Sequence, residues 1–292
     1  MGMSELRLYA VTDAGAEQLQ VPDLATDFVD LYGDLSSATY SALRTFEHNK
    51  FLDLAGHIAR TKLSMELLEL PYNWNEQRFR IALHQAVSDF PAENARVRFD
   101  VLAGPAAALG TDSRELIALK AFVPVPAVYY EEGVGVDYGP TLQRELARAK
   151  TADFAQQRSQ FSLGQVQDHY EFLIQDGQGY ILEGMMTNFW AVRDGVVWTA
   201  GEGMLEGVTR KIILSLLPQL GIPVQFQAVH QDEVPDLDEA AISGSSRALM
   251  PVVSIAGQRV GNGRPGPVCR CILDAYQEYV AQVVKTAVSG LD

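Results

Sequence analysis

The chain has 292 residues, 47% of them hydrophobic, a formal charge of −14 and two cysteines. That length predicts about two domains, and the composition excludes a disordered chain. The acidic balance, without a basic run or arginine stripe, excludes nucleic acid and anionic lipid as partners, because binding to either needs clustered Lys and Arg. Cys269 and Cys271 cannot build a disulfide framework and read as reduced thiols in a cytoplasmic protein. His48, His57, His84, His169 and His230 lack the pair spacing of zinc sites, so no metal is expected. No run approaches the roughly 18 apolar residues of a membrane span, and the opening MGMSELRLYAVTDAG does not read as a secretory leader.

In chain order, TYSALRTF and KFLDL are strand-like. GHIARTKLSMELLEL then carries apolar residues at 58, 63, 67, 68 and 70, a helical spacing. Asn75 with residues 78–87 reads as a second helix, and ARVRFDVLAG and ELIALKAFVPV as strands. The Pro- and Gly-rich segment 123–140 marks the domain boundary. The expected division is an N-terminal domain over 1–125, a linker over 126–138 and a C-terminal domain over 139–292. In the latter, HYEFLIQD, GYILEG, TNFWAV and GVVWTA follow one another as strands. A helix starts at VTRKIILSLLPQLG after Gly207, EAAISG and PVVSIAG complete a sheet, and RCILDAYQEYVAQVV is a C-terminal amphipathic helix.

Four stretches bear on chemistry. Glu183 in ILEGMMTNFWAV is expensive to bury unless a cation or a protonated ring nitrogen meets it; the plain alternative is a turn with the carboxylate in water. Lys150 in ELARAKTADF, taken alone, is an ordinary surface lysine. EGVTRKII is either a hydroxyl-capped helix start or, with Gly207 before it, a place where backbone N–H groups hold a phosphate. SGSS at 243–246 is a small hydroxyl turn or a plain loop. GNGRPG at 261–266 reads as a turn rather than a nucleotide loop, since Pro265 and the missing strand-to-helix switch disfavour the latter.

These elements occur in one order: Lys150, Glu183 33 residues later, a G-V-T-R start 24 beyond that, and a hydroxyl turn about 36 further on. With HIARTKLS resembling an H-x-x-R-L-x-x-S helix and GNGRPGPV a closing turn, the chain resembles the fold-type IV, or class IV, pyridoxal-phosphate aminotransferases. That family includes branched-chain and D-amino acid aminotransferases and aminodeoxychorismate lyase. The resemblance implies an α+β, two-domain fold, with a smaller N-terminal α+β domain, a larger C-terminal mixed sheet or barrel domain, and the cofactor at their interface. It implies pyridoxal 5'-phosphate as cofactor, amino acid and 2-oxo acid substrates, and a homodimer.

Residue by residue, Lys150 matches the Schiff-base lysine and Arg60 the arginine on the cofactor phosphate. Val208 and Thr209 match the backbone N–H groups that cap that phosphate, Ser245 its remaining hydroxyl, Leu205 the side chain against the ring, and Glu183, with Asn188 five residues on, the partner of the pyridine nitrogen. Tyr40, Arg98, Ser246 and Arg247 are expected at the substrate. Arg98 falls early in its strand, as in branched-chain aminotransferases. D-amino acid aminotransferases and the lyases carry theirs just before the glycine, where this chain has Ala103, so an apolar L-amino acid is favoured. Arg247 beside the turn keeps an acidic or polar substrate open, and an aminodeoxychorismate lyase or a D-amino acid or amine transaminase is the alternative. Two departures stand out: Asp153-Phe154 replaces the usual Asn-Tyr after the lysine, and Tyr40-Ser41 the usual Phe-Glu or Tyr-Glu.

Overall fold

The computed structural model describes residues 6–31, 38–139, 147–155, 157 and 169–288; the sequence readings that touch residues 1–5 and 140–146 lie outside these. The chain divides into two compact units, Met1–Val123 with Ala149–Phe161 and Gln282–Asp292, and Pro124–Arg148 with Ser162–Ala281. The stretch around Lys150 thus clusters with the N-terminal unit, whereas the sequence division placed it in the C-terminal domain. Among the described residues no helix is long and apolar enough to cross a membrane, and no cluster of three or more His, Cys, Asp or Glu is arranged to hold a metal ion.

The first unit is built on a six-stranded sheet in the order β2-β1-β6-β5-β3-β4, with β1 Leu6–Thr12, β2 Gly15–Leu19, β3 Ala38–Phe46, β4 Lys50–Phe51, β5 Ala95–Leu102 and β6 Glu115–Ala121. All its pairings are antiparallel. Alternation along β5 and β6 sends Val97, Phe99, Ile117 and Leu119 to one face, where they pack with Phe79 and Leu83 of helix α2 (Glu76–Ser88). Leu102, Leu116 and Ala118 go to the other, against Leu8, Phe28 and Leu31. Burial on both faces explains why the β1–β2 hairpin escaped the sequence reading: Leu8, Tyr9, Ala10 and Val11 are all buried, so β1 shows no polar–apolar alternation.

Helix α1 spans Leu54–Leu67, and the Asp53 side chain accepts the N–H of Gly56 at its start. Its buried face differs from the expected apolar stripe. Leu54, His57, Ile58, Arg60, Thr61, Ser64 and Met65 are buried, while Leu63, Leu67, Leu68 and Leu70 are half-buried. A helix face this polar is tolerated only where its groups find partners.

The second unit contains α3 Val128–Glu132, β7 Val134–Tyr138, β8 Glu171–Gln175, β9 Tyr180–Gly184, β10 Asn188–Arg193, β11 Val196–Trp198, α4 Val208–Leu216, β12 Val224–Gln225, β13 Val229–His230, β14 Glu239–Gly244, β15 Ala248–Ile255 and β16 Gln258–Arg259, followed by α5 Pro267–Thr286. β7, β8, β9, β10, β14 and β15 pair as a closed ring, a barrel-like arrangement flanked by the remaining strands. The ring is closed where β10 meets β9, at the pair Asn188 and Glu183. The segment 126–138, expected as linker, holds α3 and β7. β7 lies between β15 and β8, parallel to both, and its few apolar residues amid Pro and Gly gave it no strand signal.

The core of this unit gathers Val136, Leu173, Phe189, Ala191, Ile242, Met250 and Val252. The GNGRPG stretch is a structural turn: Gly261 has φ 52° and a Cβ there would sit 2.1 Å from the Asp238 carbonyl oxygen. It leads into α5, whose first N–H groups, on Val268 and Cys269, are accepted by the buried Glu239 carboxylate at 2.9 and 2.7 Å.

Candidate active site

In the first unit the site is organised by β3, whose alternation puts Tyr40 and Ser41 on opposite faces. Ser41 meets the polar face of α1. Its Oγ accepts from Arg60 Nη2 at 2.7 Å and lies 2.9 Å from His57 Nδ1. Burial first, then the charges of Arg60 and Lys150, hold the His57 pKa well below 6.5. The imidazole is therefore neutral, and the Ser41 hydroxyl is placed to donate to Nδ1 while accepting from Arg60. One small hydroxyl thus bonds both a buried cation and a buried ring.

Lys150 is held from three sides by its main chain. Its N–H donates to Ser64 Oγ at 3.0 Å, and its carbonyl accepts from the Tyr40 N–H at 3.1 Å and from Thr39 Oγ1 at 3.0 Å. Ser64 Oγ in turn donates to the Arg60 carbonyl at 2.9 Å. Lys150 Nζ lies 4.6 Å from the centre of the Tyr40 ring, within cation–π range. That ring also carries the Arg98 guanidinium at 4.3 Å. Tyr40 stands opposite Asp100 in the β3–β5 pairing, and Arg98 grips Asp100 through Nε and Nη2. Phe154 is buried close to Lys150 in sequence, and its N–H donates to Thr151 Oγ1 at 3.3 Å.

In the second unit Glu183 is 4% exposed, so the solvated-turn reading of this carboxylate does not hold. Its Oε2 accepts the Leu205 N–H at 3.1 Å, and Asn188 Nδ2 donates to the Leu205 carbonyl at 2.7 Å. The E-x-x-x-x-N spacing therefore brackets both polar groups of one residue from the two strands that close the barrel. Leu205 itself is buried.

Three residues on, α4 begins at Val208 after Gly207, and no side chain caps it. Gly207 fits because a Cβ there would come 2.2 Å from Asn188 Oδ1. Val208, Thr209 and Arg210 are buried, and a buried, uncapped helix start carries N–H groups and a positive dipole end suited to an anion. Arg210 donates to the Ala200 carbonyl at 2.7 Å. Burial lowers its pKa against the opposing charges of Glu206 and Glu183.

Ser245, Ser246 and Arg247 form the three-residue turn between β14 and β15, closed by the Arg247 N–H on the Gly244 carbonyl at 3.0 Å. Trp190 Nε1 donates to the buried Ser243 Oγ at 2.9 Å at the base of this turn. The Arg247 side chain donates to Glu171 Oε2 at 3.0 Å and lies over the Tyr170 ring. Thus Lys150, Arg60, Tyr40 and Arg98 are brought together in one unit, and Glu183, Leu205 and the start of α4 in the other. Sequence reasoning missed Ser41 and His57 as partners of Arg60, Asp100 as the partner of Arg98, and Glu171 as that of Arg247. The spacing 57, 60, 64 on one helix face signals His57 as such a partner, and the spacing 98, 100 on one strand face signals Asp100.

The model of the family described as Amino-transferase class IV matches residues 40–255, well over half of the chain. The chain is 26% identical over 267 residues to a "Probable branched-chain-amino-acid aminotransferase" of Thermotoga maritima, covering 88% of this chain and 92% of that protein. It is 37% identical over 110 residues to the branched-chain-amino-acid aminotransferase of Escherichia coli, covering 37% and 36% of the two. In fold it is similar to a T.th. branched-chain amino acid aminotransferase solved with pyridoxamine 5'-phosphate, with a TM-score of 0.76, 19% identity and 95% and 94% coverage. These names favour the transaminase over the lyase among the alternatives. The chain belongs to the class IV aminotransferases and is a pyridoxal-phosphate-dependent transaminase.

Proposed function

We propose that this transaminase moves an amino group between an L-amino acid with an apolar side chain and a 2-oxo acid, with Lys150 as the group that carries the proton. The residues fit pyridoxal phosphate in three respects. α4 offers an uncapped, buried N-terminus for a phosphate. Glu183 offers a buried carboxylate for a protonated ring nitrogen, and Arg60 a buried cation. When bound, pyridoxal phosphate supplies a reactive carbonyl carbon and a ring that accepts electrons from the substrate α-carbon.

In this reading the Val208 and Thr209 N–H groups, the Ser245 hydroxyl and the Arg60 guanidinium bind the phosphate. Glu183 would hold a proton on the ring nitrogen, and the Leu205 side chain would orient the ring. In its neutral form Lys150 Nζ would take the proton from the substrate α-carbon as general base and give it back as general acid. Tyr40 excludes water beside that amine, while the Ser246–Arg247 turn offers the Ser246 N–H to the substrate carboxylate. The single observation that supports the reading most is the fixation of Lys150: its main chain is bound to β3 and α1 while Nζ rests against Tyr40. A nucleophile and base so held loses little entropy at reaction.

We further infer a homodimer, on the family resemblance, acting in the cytoplasm. The unbridged cysteines, Cys269 buried and Cys271 exposed, suit a reducing compartment. The test is a panel of L- and D-amino acids and amines mixed with the holoenzyme, followed by the cofactor's absorbance as it converts between aldehyde and amine forms. Apolar L-amino acids are expected to convert it fastest; preferential conversion by D-amino acids would overturn the stereochemical assignment.

A further inference from the structure

Within the second unit, two turns lie side by side. β9 and β10 are joined through Met185 and Met186, a turn closed by the Gly184 N–H on the Thr187 carbonyl at 2.8 Å. β14 and β15 are joined through Ser245, Ser246 and Arg247, and a Cβ on Gly244 would come 3.6 Å from the Met186 carbonyl oxygen. Glu171, the first residue of β8, fastens one turn to the other. Its Oε1 accepts the Met186 N–H at 3.0 Å, and its Oε2 accepts Arg247 Nη1 at 3.0 Å and lies 3.5 Å from Thr187 Oγ1. The Glu171 side chain is 1% exposed, and a Cβ on Gly184 would approach its Cγ to 3.2 Å. On the far side of the turn the Tyr130 hydroxyl holds the Arg247 carbonyl at 2.8 Å, and the guanidinium lies 5.3 Å from the centre of the Tyr170 ring.

The Ser245–Arg247 turn is followed by Ala248 at φ 55°, a left-handed conformation that a side chain disfavours and that persists only where neighbouring contacts enforce it. Those contacts fall on Arg247: Tyr130 holds its carbonyl and Glu171 its guanidinium. With the guanidinium engaged by Glu171, what the turn offers a ligand is main chain, the Ser246 N–H. A donor already fixed in place loses little freedom when a carboxylate arrives. We propose that Glu171 is a positioning residue: by holding Arg247 and Met186 at once, it fixes the Ser246 N–H that receives the substrate carboxylate against the turn that follows Glu183. Its effect falls on substrate binding and not on proton transfer at the α-carbon. The inference rests on the reading of the Ser245–Arg247 turn as the site of the substrate carboxylate.

The test measures, on the holoenzyme, the affinity of an unreactive carboxylate, 4-methylpentanoate, by calorimetry, and the KM and single-turnover rate for L-leucine. Glu171→Gln keeps the shape of the side chain but leaves one acceptor oxygen for the two donors, Met186 N–H and Arg247. The dissociation constant of 4-methylpentanoate and the KM for leucine should each rise by about tenfold, the effect of one lost charge-assisted contact. The single-turnover rate at saturating leucine should stay within about twofold of wild type, the pattern of a loss in binding alone. Arg247→Gln should show the same split, and the double variant should lose no more than the larger single loss, because both act through one contact. Undiminished affinity in Glu171→Gln would overturn the proposal, as would losses that add in the double variant or a saturating rate that falls as far as KM rises. Should Glu171→Gln not fold, Arg247→Gln decides by the same split. Ser246→Pro removes the N–H itself. Undiminished binding there would place the carboxylate elsewhere and remove the reading beneath the proposal, whereas weakened binding in Ser246→Pro with none in Glu171→Gln would overturn the proposal alone.

Discussion

Replacing Glu183 by Gln keeps the side-chain volume and removes one charge, which separates a role in holding Leu205 from a role in the reaction. The amide oxygen can still accept the Leu205 N–H now bound at 3.1 Å, and Asn188 still holds the Leu205 carbonyl at 2.7 Å. The cost to folding is the difference between a charge-assisted and a neutral hydrogen bond, about 1 kcal/mol. The reaction should lose more. A carboxylate bonded to a protonated ring nitrogen belongs to the class worth about 1.5–3 kcal/mol. If that interaction strengthens toward the transition state, its loss slows proton removal at the substrate α-carbon by about tenfold to 150-fold. Rapid mixing of holoenzyme with L-leucine, followed by absorbance in a single turnover, measures the rate, and urea unfolding measures the stability. A variant rate within about twofold of wild type would refute the reasoning, as would a loss confined to substrate binding.

Arg60→Ala removes a buried guanidinium assigned to the cofactor phosphate, and the cofactor dissociation constant, read by fluorescence titration, should rise by about tenfold to a hundredfold. An unchanged constant would leave Arg60 as no more than the partner of Ser41. His57 is buried with its pKa held well below 6.5. Its neutral form therefore contributes stability that is fully present above the unfolded-state pKa and is lost as pH falls from about 6.5 toward the folded value. His57→Asn, which can still accept from Ser41, should flatten the decline of the urea midpoint between about pH 7 and 5; an equal slope in the variant contradicts the assignment.

The strands of the barrel were legible because turn residues punctuate them. Asp194 and Gly195, at φ 52° and 72°, form the two-residue connection between β10 and β11 that an Asp-Gly pair announces. Glu183 was legible because a carboxylate inside an apolar run needs a reason, although the sequence left two readings open, of which burial excludes only the solvated turn. β7 was hidden because it is only five residues long, with two valines set among the Gly and Pro of segment 123–140, which read as punctuation rather than strand. The polar face of α1 was hidden because apolar periodicity assumes that the core is apolar, and here Ser41, His57, Arg60 and Ser64 form a hydrogen-bonded cluster in it. Arg98 and Arg247 were legible as arginines at telling positions. That each is already matched by a carboxylate is a property of side-chain placement, which one sequence does not carry.

The central claim is that Lys150 is the residue to which the cofactor attaches. Borohydride reduction of the purified, yellow holoenzyme followed by proteolysis and mass spectrometry of the peptides tests it most directly. The cofactor is expected on the peptide containing Lys150, and Lys150→Ala should fold as wild type does and carry none. Labelling of a different lysine, or covalent attachment that survives in Lys150→Ala, would contradict the account.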